Sequence, residues 1–302
     1  MKLVKQYNIG KNTTFDLSKL CQDLEKGTYT IKTQAVSVNG NKSPESTGLS
    51  YFVDPLNPLN LPPFTIRCKF KPNYTPTMGT SQTIVDSDNN VWDVGFVNAD
   101  SLFKFNTDLL EVIGANTSSV TNMDSMFNNC NSLTSVHLFD TSSVTNMDNM
   151  FFNCENIITV PLFDTSSVTS MGNMFNGCKF LITVPLFDTS SVTSMGYMFN
   201  WCTSLTSVPL FDTSSVESMN NMFYLCSSLT SVPRFDISSV TSMNSMLYKC
   251  NVVEGGALAL YQQASAKNPQ PDHCKTFTDC GKDTATGAAE LAQIPTGWGG
   301  NA

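Results

Sequence analysis

The stretch 168-VTSMGNMFNGCKFLITVPLFDTSS-191 decides the architecture, because it recurs along the chain with a period of 24 residues. Cys130, Cys154, Cys178, Cys202, Cys226 and Cys250 share one phase of that period. Met123, Met147, Met171, Met195, Met219 and Met243 share a second. Phe127, Phe151, Phe175, Phe199 and Phe223 share a third, which Leu247 closes. Self-similarity of this kind marks a stacked array, in which each unit buries its apolar face only against its neighbours. The repeats therefore predict a solenoid.

Within one unit, Met147, Met150, Phe151 and Cys154 are spaced i, i+3, i+4, i+7, which predicts a turn or two of helix facing the core. Leu181, Val184 and Leu186 follow as a short apolar strand of a parallel sheet. Phe187-Asp-Thr-Ser-Ser191 then supplies turn chemistry, with Asx and Ser/Thr side chains bonding the backbone. Pro161, Pro185, Pro209 and Pro233 recur in the strand. Proline removes a ladder donor, so the sheet there should be short or interrupted, with the prolines near its end.

Working outward, degenerate copies flank the array. Leu102, Phe103, Leu109 and Val112 fall on the phases of Met126, Phe127, Leu133 and Val136. Phe277-Thr-Asp-Cys280 and Leu291-Ala-Gln-Ile294-Pro295 restore the pattern at the other end, with their separation stretched by about eight residues. A solenoid needs such atypical ends, since its last coil would otherwise expose core. The array and its caps occupy residues 97–298, followed by a tail at 299–302.

Before the array, residues 64–96 read as a β cap: Phe64–Phe70, Thr83–Val85 and Val91–Val94 have strand character. Residues 54–63, Asp54-Pro-Leu-Asn-Pro-Leu-Asn-Leu-Pro-Pro63, form a stiff linker. Residues 1–53 read as β, with Ile31, Thr33 and Ala35 alternating and Asn39-Gly40 as a hairpin turn. The fold class is thus an α+β repeat solenoid with a 24-residue period, preceded by a small all-β N-terminal module.

Composition narrows the function classes. Only 14% of residues are charged, against 41% hydrophobic, and the formal net charge is −8. A phosphate backbone needs stripes of Lys and Arg to displace its counterions, so nucleic acid is excluded as a partner. No apolar run reaches the ~18–20 residues that span a bilayer, so no membrane insertion is expected. The start, MKLVKQYNIGKNTT, has no apolar h-region or small-residue cleavage site of a secretory signal.

The M-F-x-x-C-x-x-L-T-S-V core with V-T-S-M and F-D-T-S-S resembles the BspA-like class of leucine-rich repeats, in the variant found in mycoplasma and gut-bacterial surface proteins. The tail from His273-Cys274 to Trp298 is similar to the ends of such arrays in gut Bacteroidales and their phages. Leu24-Glu-Lys-Gly27-Thr-Tyr29 and the alternation after it resemble half of a fibronectin type III domain, which in full needs roughly 100 residues. These resemblances imply surface adhesion or recognition, with no catalytic residues to transfer.

The residues that look reactive have plainer roles. Six Cys in one phase cannot converge on a zinc ion, which takes ligands from a short loop, so they read as buried thiols of a core ladder. Cys274 and Cys280 are a possible pair in the C-terminal cap, while Cys21 and Cys68 read as singly buried. Asp140, Asp164, Asp188, Asp212 and Asp236 supply one carboxylate per coil, thin for calcium's six to eight oxygens, and read as Asx-turn residues. No metal and no cofactor is expected. His137, on the proline phase, and His273 are the two histidines; neither is paired by motif with a nucleophile, and no enzyme activity is expected.

Binding should be sought where copies vary while the core stays constant. Tyr197, Trp201, Tyr224, Tyr248 and Phe152 are aromatic and off the core phase, among Asn and Ser, which suits a protein or glycan contact. A second candidate surface is the small hydroxylated row Ser135, Thr159, Thr183, Ser207 and Ser231. The sequence leads to a non-enzymatic binding or structural protein. Its expected place is a phage virion, head- or tail-associated, attached to virion proteins by the N-terminal module and presenting the array to a host-surface protein or glycan. The alternatives are a bacterial cell-surface adhesin and an intracellular scaffold. A half-length sandwich also suggests an oligomer or completion by another chain.

Overall fold

The structure is a computed structural model that describes residues 27–31, 49–53, 65–72, 83–85, 91–96 and 98–302. The chain divides into two units, Met1–Leu61 and Pro62–Ala302. In the first, strands β1 (Gly27–Ile31) and β2 (Leu49–Val53) pair antiparallel, Gly27 opposite Val53 and Ile31 opposite Leu49. The expected Asn39-Gly40 turn, Cys21 and the linker 54–63 lie outside the described residues.

The second unit opens with a five-stranded sheet in the order β4-β5-β3-β6-β7. β3 is Thr65–Phe70, β4 Thr83–Val85, β5 Val91–Gly95, β6 Leu109–Asn116 and β7 Ser135–Val136. The sheet is antiparallel except at its last pair, where β7 joins β6 in parallel. The β cap and the first coil of the array are therefore one sheet. Ile66, Cys68 and Phe70 on one side of β3 meet Leu109, Val112 and Phe103 in a continuous buried core.

From there the coils stack. The expected core rows are buried throughout: Met, Phe and Cys of every copy are essentially inaccessible to solvent. Phe103, Phe127, Phe151, Phe175, Phe199 and Phe223 form one stack with centroids 5.4–5.7 Å apart.

The expected helix does not form. Met147 to Cys154 is a ribbon of successive turns, and neighbouring copies repeat it. The N–H groups of Met150, Phe152 and Cys154 close turns onto the carbonyls of Met147, Asn149 and Phe151 at 3.3, 3.0 and 3.0 Å. The intervening N–H groups of Met147, Asn149, Phe151 and Asn153 turn along the solenoid and donate to Ser170, Gly172, Met174 and Asn176 of the next coil at 2.7–3.1 Å. A helix would satisfy its donors internally and leave none to bind a neighbour. Splitting them between coil and neighbour gives each of these seven donors a partner, as a buried backbone requires. The geometry demands positive φ at every fourth residue, 55° at both Asn149 and Asn153, as the third position of type II turns does.

The strand prediction also needs correction. Of the Leu-x-x-Val-Pro segments, only Ser135–Val136 forms a strand. His137 stands there in place of proline, and its N–H reaches Val112 O at 2.9 Å. Pro161, Pro185, Pro209 and Pro233 have no such donor, and the ladder stops. Parallel bridging instead passes through the V-T-S-M segment, in single contacts from Asn122 to Asn146, Ser170, Ser194, Ser218, Ser242 and finally Asp272. Leu186, expected inside, is 60% exposed.

At the C-terminal end the stretched spacing is taken up by α1 (Ala257–Ser265) and α2 (Ala285–Leu291). Residues 272–278 still receive the ribbon donors of Met243, Ser245, Leu247 and Lys249. Phe277, Cys280, Leu291 and Ile294 are buried as the degenerate pattern predicts. Lys267 Nζ gathers the carbonyls of Ile237, Ser238 and Val240 at 2.6–3.0 Å, giving the end of the array partners that a further coil would otherwise supply. No described helix is long and apolar enough to cross a membrane.

Candidate functional site

The columns of reactive residue types are absorbed by the fold. Each Cys of the column donates its S–H to a Phe carbonyl one coil back, as Cys154 does to Phe127 O at 3.0 Å and Cys250 to Phe223 O at 2.9 Å. Burial pushes the Cys130 thiol up to about 12 and raises the other five well above the ordinary range. Held as buried thiols, these six are poor nucleophiles. Cys274 and Cys280 are unbridged, the first exposed and the second buried. Burial raises the Cys280 thiol to about 12.

The Asp column makes the expected Asx turns. Asp188 Oδ1 accepts from Ser190 N and Oγ at 3.1 and 2.6 Å, and Asp140, Asp164 and Asp212 repeat the pair. These serine bonds hold the Asp188 and Asp212 carboxyls below the usual carboxylate range. Among the described residues no group of three or more His, Cys, Asp or Glu is placed to hold a metal ion. His137 is held below the usual imidazole range by burial, which outweighs the pull of nearby Glu111. His273 stacks on Trp298 with centroids 3.6 Å apart, so its ring serves the cap.

The aromatic candidates fall on the ribbon edge but are not equivalent. Tyr197 and Trp201 are 41% and 48% exposed. Phe152, Tyr224 and Tyr248 are half-buried, less open than their phase suggests. Tyr224 and Tyr248 stack at 4.8 Å with planes 8° apart, and Lys249 Nζ lies 5.4 Å from the Tyr248 centroid.

Backbone conformation separates Tyr197 and Trp201 from the rest. Both have positive φ, 60° and 61°. Their row-mates are Asn149, Asn173 and Asn221 with Ser101, Ser125 and Ser245 in one row, and Asn129, Asn153 and Gly177 in the other. Asn and Gly tolerate the left-handed region, whereas for bulky residues it is an outlier costing on the order of 1–2 kcal/mol. Phe105, Leu225 and Lys249 are single misfits of the same kind. Only the coil of Tyr197 and Trp201 places an aromatic at both left-handed positions. Between them, the buried Asn200 Oδ1 has no hydrogen-bond donor, a further cost of about 1–3 kcal/mol.

The second candidate row, Ser135, Thr159, Thr183, Ser207 and Ser231, is exposed along the proline-bearing side. It is flanked by residues that the repeat pattern did not single out. Ile158, Phe180 and Ile182 (49, 55 and 46% exposed) line a shallow groove with Thr134, Asn156 and Ser204, and Leu162, Leu186 and Leu210 are exposed on its other flank. Variation at the phases of Thr134 and Ser132 was the available signal: two Ile and one Phe replace hydroxyl or amide residues there.

Fold and surfaces together define a repeat solenoid whose variable residues ride on a constant core. The chain belongs to the family described as "Mycoplasma protein of unknown function, DUF285", whose model matches residues 77–160, 95–185 and 156–257. A leucine-rich repeat protein from Eubacterium ventriosum, known from its crystal structure, is similar at 20% identity and a TM-score of 0.36, over 46% of this chain. The match spans 37% of that protein's length. No curated protein matches the chain.

Proposed function

We propose that the chain is a non-enzymatic recognition protein that holds a host-surface partner on the ribbon edge, at Tyr197 and Trp201 with Tyr224, Tyr248 and Phe152 around them. One observation carries this reading: a single coil places bulky aromatics at both of its left-handed positions, where the other coils place at most one bulky residue and otherwise Asn, Gly or Ser. Strain kept at an exposed site points to a use for the side chain rather than to stability. In this reading the protein is a head- or tail-associated virion component, with residues 1–53, a reduced fibronectin-like β module, attaching the array to other virion proteins. Support for the virion comes from the likeness of residues 273–298 to array ends in phages of gut Bacteroidales. The family description, which names Mycoplasma, favours a second setting for the same surface, the exterior of a bacterial cell.

The test of the surface is binding of the full chain to intact gut Bacteroidales cells. Trp201→Asn is expected to weaken it about tenfold or more, the scale of an interface hot spot. Thr183→Glu, on the hydroxyl row, is expected to leave it unchanged. The reverse pattern would move the site to the proline-bearing side. Mass spectrometry of purified phage particles, set against protease shaving of intact bacteria, separates the two settings. Absence from particles overturns the virion reading.

A further inference from the structure

We infer that the ligand class of the Tyr197–Trp201 edge is a neutral glycan, an inference that rests on the recognition reading above. The ribbon segments of the three central coils read MGNMFNGC (171–178), MGYMFNWC (195–202) and MNNMFYLC (219–226), and contain no ionisable Asp, Glu, Lys, Arg or His. The corresponding segments on either side carry Asp124, Asp148 and Lys249. Charge is thus absent from the ribbon segments around Tyr197 and Trp201.

What remains around Tyr197 and Trp201 is amide. Asn153 donates to Asn129 Oδ1 at 3.1 Å, and its own Oδ1 fills the space over Gly177, where a Cβ would collide with it. This amide row ends at the Trp201 position one coil on. Asn176 donates to Asn173 Oδ1 at 2.9 Å in the coil before Tyr197. An amide offers both donors and acceptors, matching hydroxyls that are both at once. An indole or phenol face takes up the apolar C–H face of a sugar ring. A protein partner would favour Arg beside the aromatics and a charged rim, and neither is present in these three segments. The strained aromatics and the donorless Asn200 Oδ1 fall in this same coil. Local rules are broken together where a site, and not the fold, sets the sequence.

The experiment is titration of the full chain with immobilised neutral oligosaccharides of glucose, mannose, galactose and N-acetylglucosamine, read by retention and by tryptophan emission. At least one is expected to bind and to shift the emission of exposed Trp201 to shorter wavelength. Trp201→Asn should weaken that binding about tenfold or more. Asn is the residue the backbone already accepts at Asn129 and Asn153, so this variant folds. Failure of every sugar, or binding indifferent to Trp201→Asn, overturns the glycan inference. The recognition reading fails separately, if Trp201→Asn leaves cell binding intact. Cell binding that depends on Trp201, survives periodate and is removed by protease would keep recognition and replace the glycan with a protein.

Discussion

The two long sides of each coil are joined to their neighbours by different means. On the ribbon side, four alternate N–H groups per coil donate to the next coil. On the proline-bearing side the links thin to one or two, such as Ile182 N to Ile158 O and Thr206 N to Ile182 O at 3.1 Å. Thr206 and Thr230 reinforce this seam with their hydroxyls, at 3.3 and 3.1 Å to the preceding coil. The ribbon therefore carries most of the backbone bonding between coils. The other side presents large apolar residues on a looser frame. Left-handed backbone lies on the ribbon side, and the exposed aliphatic residues Ile158, Leu162, Ile182, Leu186 and Leu210 lie on the other.

Substitutions that weaken one side at a time test this contrast. The largest effect is expected from Phe175→Ala, which empties a position stacked between Phe151 and Phe199 at 5.6 and 5.7 Å. Urea unfolding should show a loss of about 3–5 kcal/mol. Leu186→Ala, at an exposed site opposite, should change stability by less than about 0.5 kcal/mol. Comparable losses from the two would erase the distinction.

Next in size, Trp201→Asn should raise the unfolding free energy by about 1 kcal/mol, because relief of left-handed strain outweighs the lost contacts of a half-exposed ring. Leu225→Asn should do the same. Destabilisation of both by a similar amount would show that the ribbon tolerates bulky side chains without strain.

A smaller effect is expected where the proline-bearing side borrows a sheet bond. His137→Pro removes the donor to Val112 O, costing about 0.5–1.5 kcal/mol, partly offset by about 0.4–1 kcal/mol from a stiffer unfolded chain. The net loss should be confined to the first coil and appear as faster hydrogen exchange at its neighbours in β6. Smallest of all is the pH response of the same residue. Burial lowers the folded-state pKa of His137, so the unfolded chain binds the proton first as pH falls. Stability should decline as pH drops from the ordinary imidazole value, about 6.5, through the lower folded value, and then level off. His137→Gln should remove that step from the pH profile.

Much of this contrast was legible in the residues. The period located the Met, Phe and Cys core rows, because a residue repeated every 24 positions in a stack has one environment. The row of Phe139, Phe163, Phe187, Phe211 and Phe235, read as part of the turn, is also buried. The proline row predicted where the sheet would fail, and the one coil with His137 is where it persists. The ribbon was misread as helix because i, i+3, i+4, i+7 spacing serves turns closed by i to i+3 bonds equally well. Asn149, Asn153, Asn173 and Gly177 held the missing information, since residues tolerant of positive φ at a spacing of four favour turns and are poor helix formers. The partial burial of Phe152, Tyr224 and Tyr248 was not legible. It depends on how side chains of successive coils stack along the axis, which one copy of the repeat does not encode. The exposure of Leu186 was hidden for the same reason, as a Leu repeated in phase looks like core.

The threonine at the start of each turn carries a consequence for how such a chain grows. Thr117, Thr141, Thr165, Thr189 and Thr213 are buried, and each hands its hydroxyl forward to an aspartate carbonyl in the following coil, at 2.5–2.8 Å. In the last copy that position is Ile237, buried and without a hydroxyl, and Lys267 Nζ caps the carbonyls of Ile237, Ser238 and Val240. The row is directional and has a written end. A gene duplicating 24 codons anywhere inside it produces a longer molecule with every seam matched, whereas one adding copies after Ile237 meets a coil with nothing to hand on.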